Sequence, residues 1–154
     1  MKKTILSLAL TAVTVLSAMS LHSCGLVDFD HSENGHLDGY WHLVSVDSLD
    51  NGTTTDLSQQ RYYWAVQGTL LQLYSPDWQS GQRFVSQFRY QNATFTVLEI
   101  HVDRRYEGDP VVDDINRVRP FGLNNITETF QVDDLSGRSL TLSTADLRLR
   151  FKKM

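Results

Sequence analysis

Between residues 39 and 151 the chain consists of short segments in which apolar and polar side chains alternate. A period of two is typical of half-buried β-strands, whereas an amphipathic helix repeats its apolar positions every three or four residues. Turn-forming residues separate the segments, as in Asp50-Asn51-Gly52 and in Ser75-Pro76-Asp77, where a proline that lacks an N–H ends a strand. No window has a convincing helical period. The pattern predicts an all-β domain of antiparallel strands.

The expected strands cover residues 37–46, 61–66, 69–74, 82–90, 93–102, 111–118, 126–132, 140–142 and 147–151, with 111–118 the weakest of them. The polar residues 53–60 are expected to form a loop or one short helical turn. In 93–102 the inner face stays open, since Leu98 and Ile100 lie on one face and Phe95 and Val97 on the other. About eight strands in meandering order can close into an up-and-down barrel, which leaves no edge exposed.

The N-terminus has the features of a bacterial lipoprotein signal. Met1-Lys2-Lys3 precedes an uncharged run from residue 4 to 19, and Leu21-His22-Ser23-Cys24 follows it. The run could be a buried helix or a membrane span, but it is shorter than the roughly 20 residues that a span needs. The order of basic, apolar and small residues favours a cleaved signal over residues 1–23 with lipid attached to Cys24, rather than a free or buried thiol. Residues 24–36 are then an acidic flexible tether and residues 37–154 the barrel domain.

Cleavage would remove Lys2 and Lys3 but no carboxylate, leaving 12 basic and 18 acidic side chains and a formal charge of −6. An acidic domain without a basic run gains nothing from counterion release, so nucleic acid is not an expected partner. Cys24 is the sole cysteine, so no intramolecular disulfide can form. The domain is expected to be a monomer that contacts the membrane through the lipid on Cys24.

Catalytic and metal-binding patterns are lacking in the sequence. His31, His36, His42 and His101 do not have metal-ligand spacing, and no Gly-x-Ser-x-Gly elbow exists. A group of carboxylates between residues 103 and 114 does not match a calcium loop and is better interpreted as solvated. We therefore expect no enzyme activity, no metal and no cofactor.

Inward-facing aromatic residues are the remaining signal. If the barrel holds a ligand, the side chains that line the binding cavity are expected to come from three strands. Ser86 would then be the polar group in the pocket, because it shares the parity of Phe84 and Phe88 whereas Gln87 does not. The same aromatic side chains could instead fill a solid core, since close packing is the usual state of protein interiors. The candidate cavity-lining residues are Tyr62, Trp64, Phe84, Ser86, Phe88 and Phe130.

Gly39-Tyr40-Trp41 resembles the Gly-x-Trp signature at the first strand of lipocalins. The resemblance implies a lipocalin-like barrel in which a basic residue of the last strand, Arg150 or Arg148, lies across Trp41. Together, the signal and the ending from Leu140 onward resemble the small lipocalin-like lipoproteins of Bacteroidetes. What this implies is a lipid-anchored protein of the Gram-negative envelope, at the outer membrane, that binds a small apolar or amphiphilic ligand. The alternative is a solid barrel that binds an envelope protein or a glycan through its surface or loops.

Overall fold

The computed structural model of the protein describes residues 32–104 and 106–154, so the predicted signal, Cys24 and most of the predicted tether lie outside it. The described residues form nine strands and four short 3-10 turns. The strands are β1 (Gly39–Ser48), β2 (Thr53–Asp56), β3 (Tyr63–Gln67), β4 (Leu70–Tyr74), β5 (Arg83–Gln91), β6 (Thr94–Val102), β7 (Glu128–Leu135), β8 (Ser139–Ser143) and β9 (Leu147–Lys153).

Strands β1 and β3 to β9 make a closed, eight-stranded antiparallel barrel. Each strand pairs with the next in the chain, and β9 returns to pair with β1 over residues 147–153. Strand β2 is an addition outside this ring and pairs only with the second half of β1. The prediction of an all-β up-and-down barrel is therefore confirmed.

Two predicted elements differ from the structure. Residues 53–56 form strand β2 rather than a loop or helical turn, because three β-branched threonines pair with β1 and Thr54 Oγ1 donates to Asp47 Oδ1 at 2.9 Å. Residues 111–118 are not a strand. A single bridge joins Val111 to His101, and the chain then forms 3-10 turns, the first of which is capped by Asp114 accepting from the Asn116 N–H at 3.0 Å.

A β-bulge explains why the inner face of β6 was ambiguous. Ser86 pairs with Ile100 and Phe88 pairs with Val97, so Leu98 and Glu99 together stand opposite one residue of β5. The extra residue reverses the alternation along β6. Phe95 and Val97 face inward before the bulge, and Ile100 and Val102 face inward after it.

The core occupies the inside of the barrel and is continuous from one end to the other. Each of its buried apolar residues is at most 4% exposed. Within the described part of the chain, every buried side-chain nitrogen or oxygen has a hydrogen-bond partner. None of the described helical segments is both long and apolar enough to cross a membrane.

Candidate functional site

The structure brings the six predicted cavity residues into the barrel. Trp64, Phe84 and Phe130 are fully buried, Ser86 and Phe88 are 3% and 4% exposed, and Tyr62 is half-buried against the core. The rings pack on one another: the Trp64 and Phe130 centroids lie 6.1 Å apart. Phe88 stacks on a further core residue, Phe95, at 4.7 Å. The parity argument from the sequence therefore placed these side chains on the correct face.

The space between these walls is occupied by the chain itself. The β6–β7 connection (residues 103–127) sends Val112, Val118, Phe121 and Leu123 into the core, each at most 2% exposed. The carbonyl oxygen of Phe121 accepts the indole N–H of Trp64 at 3.1 Å. We call these four residues the plug.

Two of the predicted cavity-lining residues pack against Phe121 of the plug. The Tyr62 ring meets the Phe121 ring edge-on at 5.4 Å between centroids, and the Phe84 ring lies 6.0 Å from it. Glu128, which is 7% exposed, fixes the end of the connection by accepting the backbone N–H of Asn124 at 2.7 Å. Sequence reasoning missed the plug because its apolar residues have neither period two nor a helical period.

Ser86, the predicted polar group of a pocket, instead bonds to backbone carbonyl groups at the β6 bulge. Its hydroxyl lies 2.7 Å from the carbonyl oxygen of Gln87 and 3.2 Å from that of Leu98, both at the bulge. The bulge leaves a carbonyl outside the strand ladder, and a buried carbonyl without a partner is costly. Because a hydroxyl has only one proton to donate, the hydrogen that Ser86 could offer a ligand is already used.

The opposite end of the barrel is closed by Trp41. Its indole N–H donates to the carbonyl oxygen of Leu37 at 2.7 Å, and both residues are fully buried. The ammonium of Lys153 lies 4.8 Å from the centre of the Trp41 ring and donates to the carbonyl oxygen of His36 at 2.9 Å. Gly39 has a φ of +143°, a conformation that residues with a Cβ rarely adopt, so this position requires glycine. A Cβ there would also meet the flexible end of the Lys153 side chain, which would have to move.

The expectation that Arg150 or Arg148 covers Trp41 is wrong, because Lys153 does so. Arg150 points outward, where its Nη1 lies 2.7 Å from Asp47 Oδ2, and Arg148 lies 3.6 Å from Asp133. Lys153 shares the parity of the inward residues Leu149 and Phe151, so the alternation of β9 carried the signal. The end of the predicted tether also contacts the barrel, since Asn34 Nδ2 donates to Gly68 O in the β3–β4 turn at 2.6 Å.

Asp47 is a buried carboxylate on the outer side of β1. It is 8% exposed and receives hydrogen bonds from Arg150 and Thr54. The hydrogen bond from Arg150 is the main cause that holds the pKa of Asp47 below its usual value. The pair joins β1 to β9 near the plug.

The outer face of the barrel carries features that the sequence analysis did not single out. Tyr40 stacks on Tyr63 with ring centroids 4.9 Å apart, and the His42 ring lies 5.2 Å from that of Tyr63. Beside Tyr40 is a hollow of about 420 Å³, and a second hollow of about 510 Å³ lies over the β6 bulge. The available signal was again parity, since Tyr40 and His42 flank the inward residue Trp41.

Neither a metal centre nor a histidine-based site is assembled in the residues described. They contain no group of three His, Cys, Asp or Glu side chains placed to hold an ion. His101 lies between the carbonyl oxygen of Asp109 at 2.8 Å and Glu99 at 3.2 Å, and His42 Nε2 lies 2.6 Å from the carbonyl oxygen of Gln60.

Comparison with known proteins gives one family match. The model of a lipocalin-like domain matches residues 18–154. A lipocalin-like protein from Bacteroides uniformis is 22% identical, with a TM-score of 0.61 over 78% of this chain and 100% of that one. An uncharacterized protein from Bacteroides eggerthii is 16% identical, with a TM-score of 0.58 over 76% of this chain and 98% of that one. No curated protein sequence matches significantly.

Proposed function

The chain belongs to the lipocalin-like domain family, and we propose that it is a lipid-anchored protein of the Gram-negative envelope that binds its partner on the outside of a solid barrel. The observation that carries this proposal is the buried hydrogen bond from Trp64 to Phe121. It fixes the plug in the volume where an internal ligand would lie. The outer surface, with its hollows and exposed rings, is then the part left for recognition.

The proposed role is non-catalytic. Two groups with the chemistry of a nucleophile or a base have structural partners: Ser86 at the bulge, and His101 between Asp109 and Glu99. A general base must itself accept a proton from the substrate at hydrogen-bond distance, and these two side chains already bond to groups of the fold.

Anchoring at the outer membrane through Cys24 is the second part of the proposal, motivated by the signal and lipobox pattern. Each buried methylene of an attached lipid contributes roughly 0.8 kcal/mol, so a diacylated protein stays with membranes. Fractionation of cells expressing Cys24→Ala tests this, with Ser23→Ala as the matched control. We expect Cys24→Ala in the soluble fraction and Ser23→Ala in the outer membrane. Pelleting of Cys24→Ala with membranes after a high-salt wash contradicts the anchor.

An internal apolar or amphiphilic ligand is the second candidate. It is favoured by the fact that the barrel is filled at one end by a connection rather than by strand residues, so a ligand could enter if the plug moved out. A fatty acid, haem and a bile acid titrated into the full chain, followed by tryptophan fluorescence, separate the two candidates. The solid barrel predicts no saturable quenching, and saturable quenching that is weakened in Phe88→Trp supports the internal ligand instead.

A further inference from the structure

The aromatic cluster on the outer face has no role in closing the barrel. Tyr40 and Tyr63 lie on the opposite face of β1 and β3 from Trp41 and Trp64, which build the core. Tyr40 is 37% exposed although its ring is large and apolar. Stacking on Tyr63 covers one side of the Tyr40 ring.

The uncovered side of Tyr40 borders the hollow of about 420 Å³. The hollow is lined by Asp38, Gly39, Tyr40, Ala65, Val66 and Gln67, and Tyr63 is not among these residues. On β3, Tyr63 and Gln67 stand two residues to either side of Ala65, the partner of Tyr40, so the hollow at Gln67 extends from Tyr40 away from Tyr63. Ala65 pairs directly with Tyr40 across β1 and β3, and its small side chain leaves the depression in the sheet surface.

The polar groups of this hollow are a carboxylate and an amide. Asn34 Nδ2 donates to Asp38 Oδ1 at 2.8 Å, which orients the carboxylate. A carboxylate has two oxygens with several lone pairs, so Asp38 retains acceptor capacity for hydroxyl groups. Gln67 is exposed at the end of β3, and its amide can both donate and accept.

A flat aromatic wall, a small floor and hydrogen-bonding groups of both kinds match the surface of a sugar ring. A pyranose has one apolar face of C–H groups, which carry a slight positive charge and suit the electron-rich face of a phenol ring. Its hydroxyl groups lie around the edge, where Asp38 and Gln67 would meet them. An acyl chain would leave both polar groups unsatisfied, which is unfavourable.

We propose that the hollow beside Tyr40 binds a pyranose unit of a neutral saccharide, stacked on Tyr40 and hydrogen-bonded by Asp38 and Gln67. This inference rests on the proposed function, since it names the ligand class for recognition on the outside of the barrel. A quaternary ammonium group would also suit an aromatic ring beside a carboxylate. The test therefore includes it as a competing ligand.

The experiment uses the full chain, purified in a detergent without a sugar headgroup. The probes are the methyl pyranosides of glucose, galactose, mannose and N-acetylglucosamine, with choline chloride as the cationic probe. Binding is followed by saturation-transfer NMR and by titration of backbone amide shifts. We expect at least one pyranoside to bind saturably and to shift the amides of β1 and β3 around Tyr40 and Ala65.

Four variants separate recognition from folding. Tyr40→Ala should weaken binding by at least about tenfold, the equivalent of about 1.4 kcal/mol. Tyr40→Phe should keep it, because the ring face remains. Tyr106→Ala is the matched control, since Tyr106 is fully exposed elsewhere on the surface. Asp38→Asn should retain most of the binding of a neutral sugar, whereas it should abolish binding of a cation.

The inference is overturned if no pyranoside binds, or if choline binds at this hollow and the pyranosides do not. Equal loss in Tyr40→Ala and Tyr106→Ala also contradicts the site. Failure here is distinct from failure of the proposed function, which would show as saturable quenching by an internal ligand or as membrane association of Cys24→Ala.

Discussion

At one end of the barrel, closure is built from residues near the start and finish of the sheet, whereas at the other it depends on a long connection. Gly39, Trp41 and Lys153 form the first closure, and every one of them belongs to a strand. The plug forms the second closure and comes from the β6–β7 connection. In an antiparallel meander these two groups lie at opposite ends.

This difference indicates which end of the barrel can open. The Trp41 end is held by strand pairing on both sides of β1 and by the hydrogen bond to Leu37, so it can open only if the sheet opens. The plug is held by packing and by single hydrogen bonds such as that from Trp64 to Phe121. Connections generally open at lower free energy than core strands. An entrance to the interior would therefore lie at the plug.

The largest expected effect is that of Trp41→Ala. Deleting a fully buried tryptophan should lower the free energy of unfolding by about 3 to 5 kcal/mol. Trp78→Ala is the control, because Trp78 is only partly buried and its N–H donates to Arg117 O at 2.9 Å in a loop region. Urea unfolding measures the stability of both variants. Equal losses of stability would contradict the role assigned to Trp41 in closing the barrel.

Phe121→Ala tests the plugged end. We expect a loss of about 3 kcal/mol, at the lower end of the range for a buried phenylalanine, because a connection can relax around the gap more easily than a sheet can. Hydrogen exchange should become faster at the indole N–H of Trp64 but not at that of Trp41. Ile115→Ala, at a half-buried position of the same connection, is the control. Faster exchange at both indoles would show that the two ends are not independent.

Alanine substitutions at two glycines test the two ends of the barrel with a smaller expected loss of stability. Gly39 and Gly122 have positive φ, and a Cβ on Gly122 would lie 2.7 Å from Leu149 Cδ2. Each change to alanine should cost about 1 to 3 kcal/mol from backbone strain and crowding. Gly108→Ala is the control, since its φ is +69° but nothing lies within 4 Å. In chemical denaturation, Lys153→Ala should recover part of the Gly39→Ala loss and none of the Gly122→Ala loss; recovery of both would contradict the contact assigned to Lys153.

The smallest effect concerns pH. Because Arg150 holds the pKa of Asp47 below its usual value, the unfolded chain binds this proton more readily than the folded one. The stabilisation is present above the ordinary aspartate pKa of about 3.9 and is lost as pH falls through the lower folded-state pKa. Since Arg150 is half-exposed, we expect less than about 1 kcal/mol. The difference in urea midpoint between the wild type and Asp47→Asn should shrink as pH falls below about 4; a constant difference would contradict the assignment.

Alternation was sufficient to predict the antiparallel strands and the inward side chains of the regular ones, and the resemblance of Gly39-Tyr40-Trp41 to the Gly-x-Trp signature supported their closure into a barrel. Trp64, Phe84, Phe88 and Phe130 could be placed correctly because parity is a local property, set by the pleat of consecutive residues. Gly39 and Trp41 were recognisable for a different reason, their resemblance to the Gly-x-Trp signature of lipocalins. The outward position of Tyr40 and Tyr63 and the inward position of Lys153 could also have been predicted, since each follows from the parity of its own strand.

What the three-dimensional structure added depends on residues distant in the chain. The bulge in β6 reverses its parity, and a second irregularity after Leu43 shifts β1 against β9, so that Ser45 meets Arg150. A bulge is specified by pairing with the neighbouring strand, and in the sequence of β6 it shows only as two conflicting apolar faces. Phe121 enters the core from a segment without a period, because a loop residue is buried by the space that other strands leave. Alternation therefore reveals the walls of this barrel, whereas its filling is set by long-range packing.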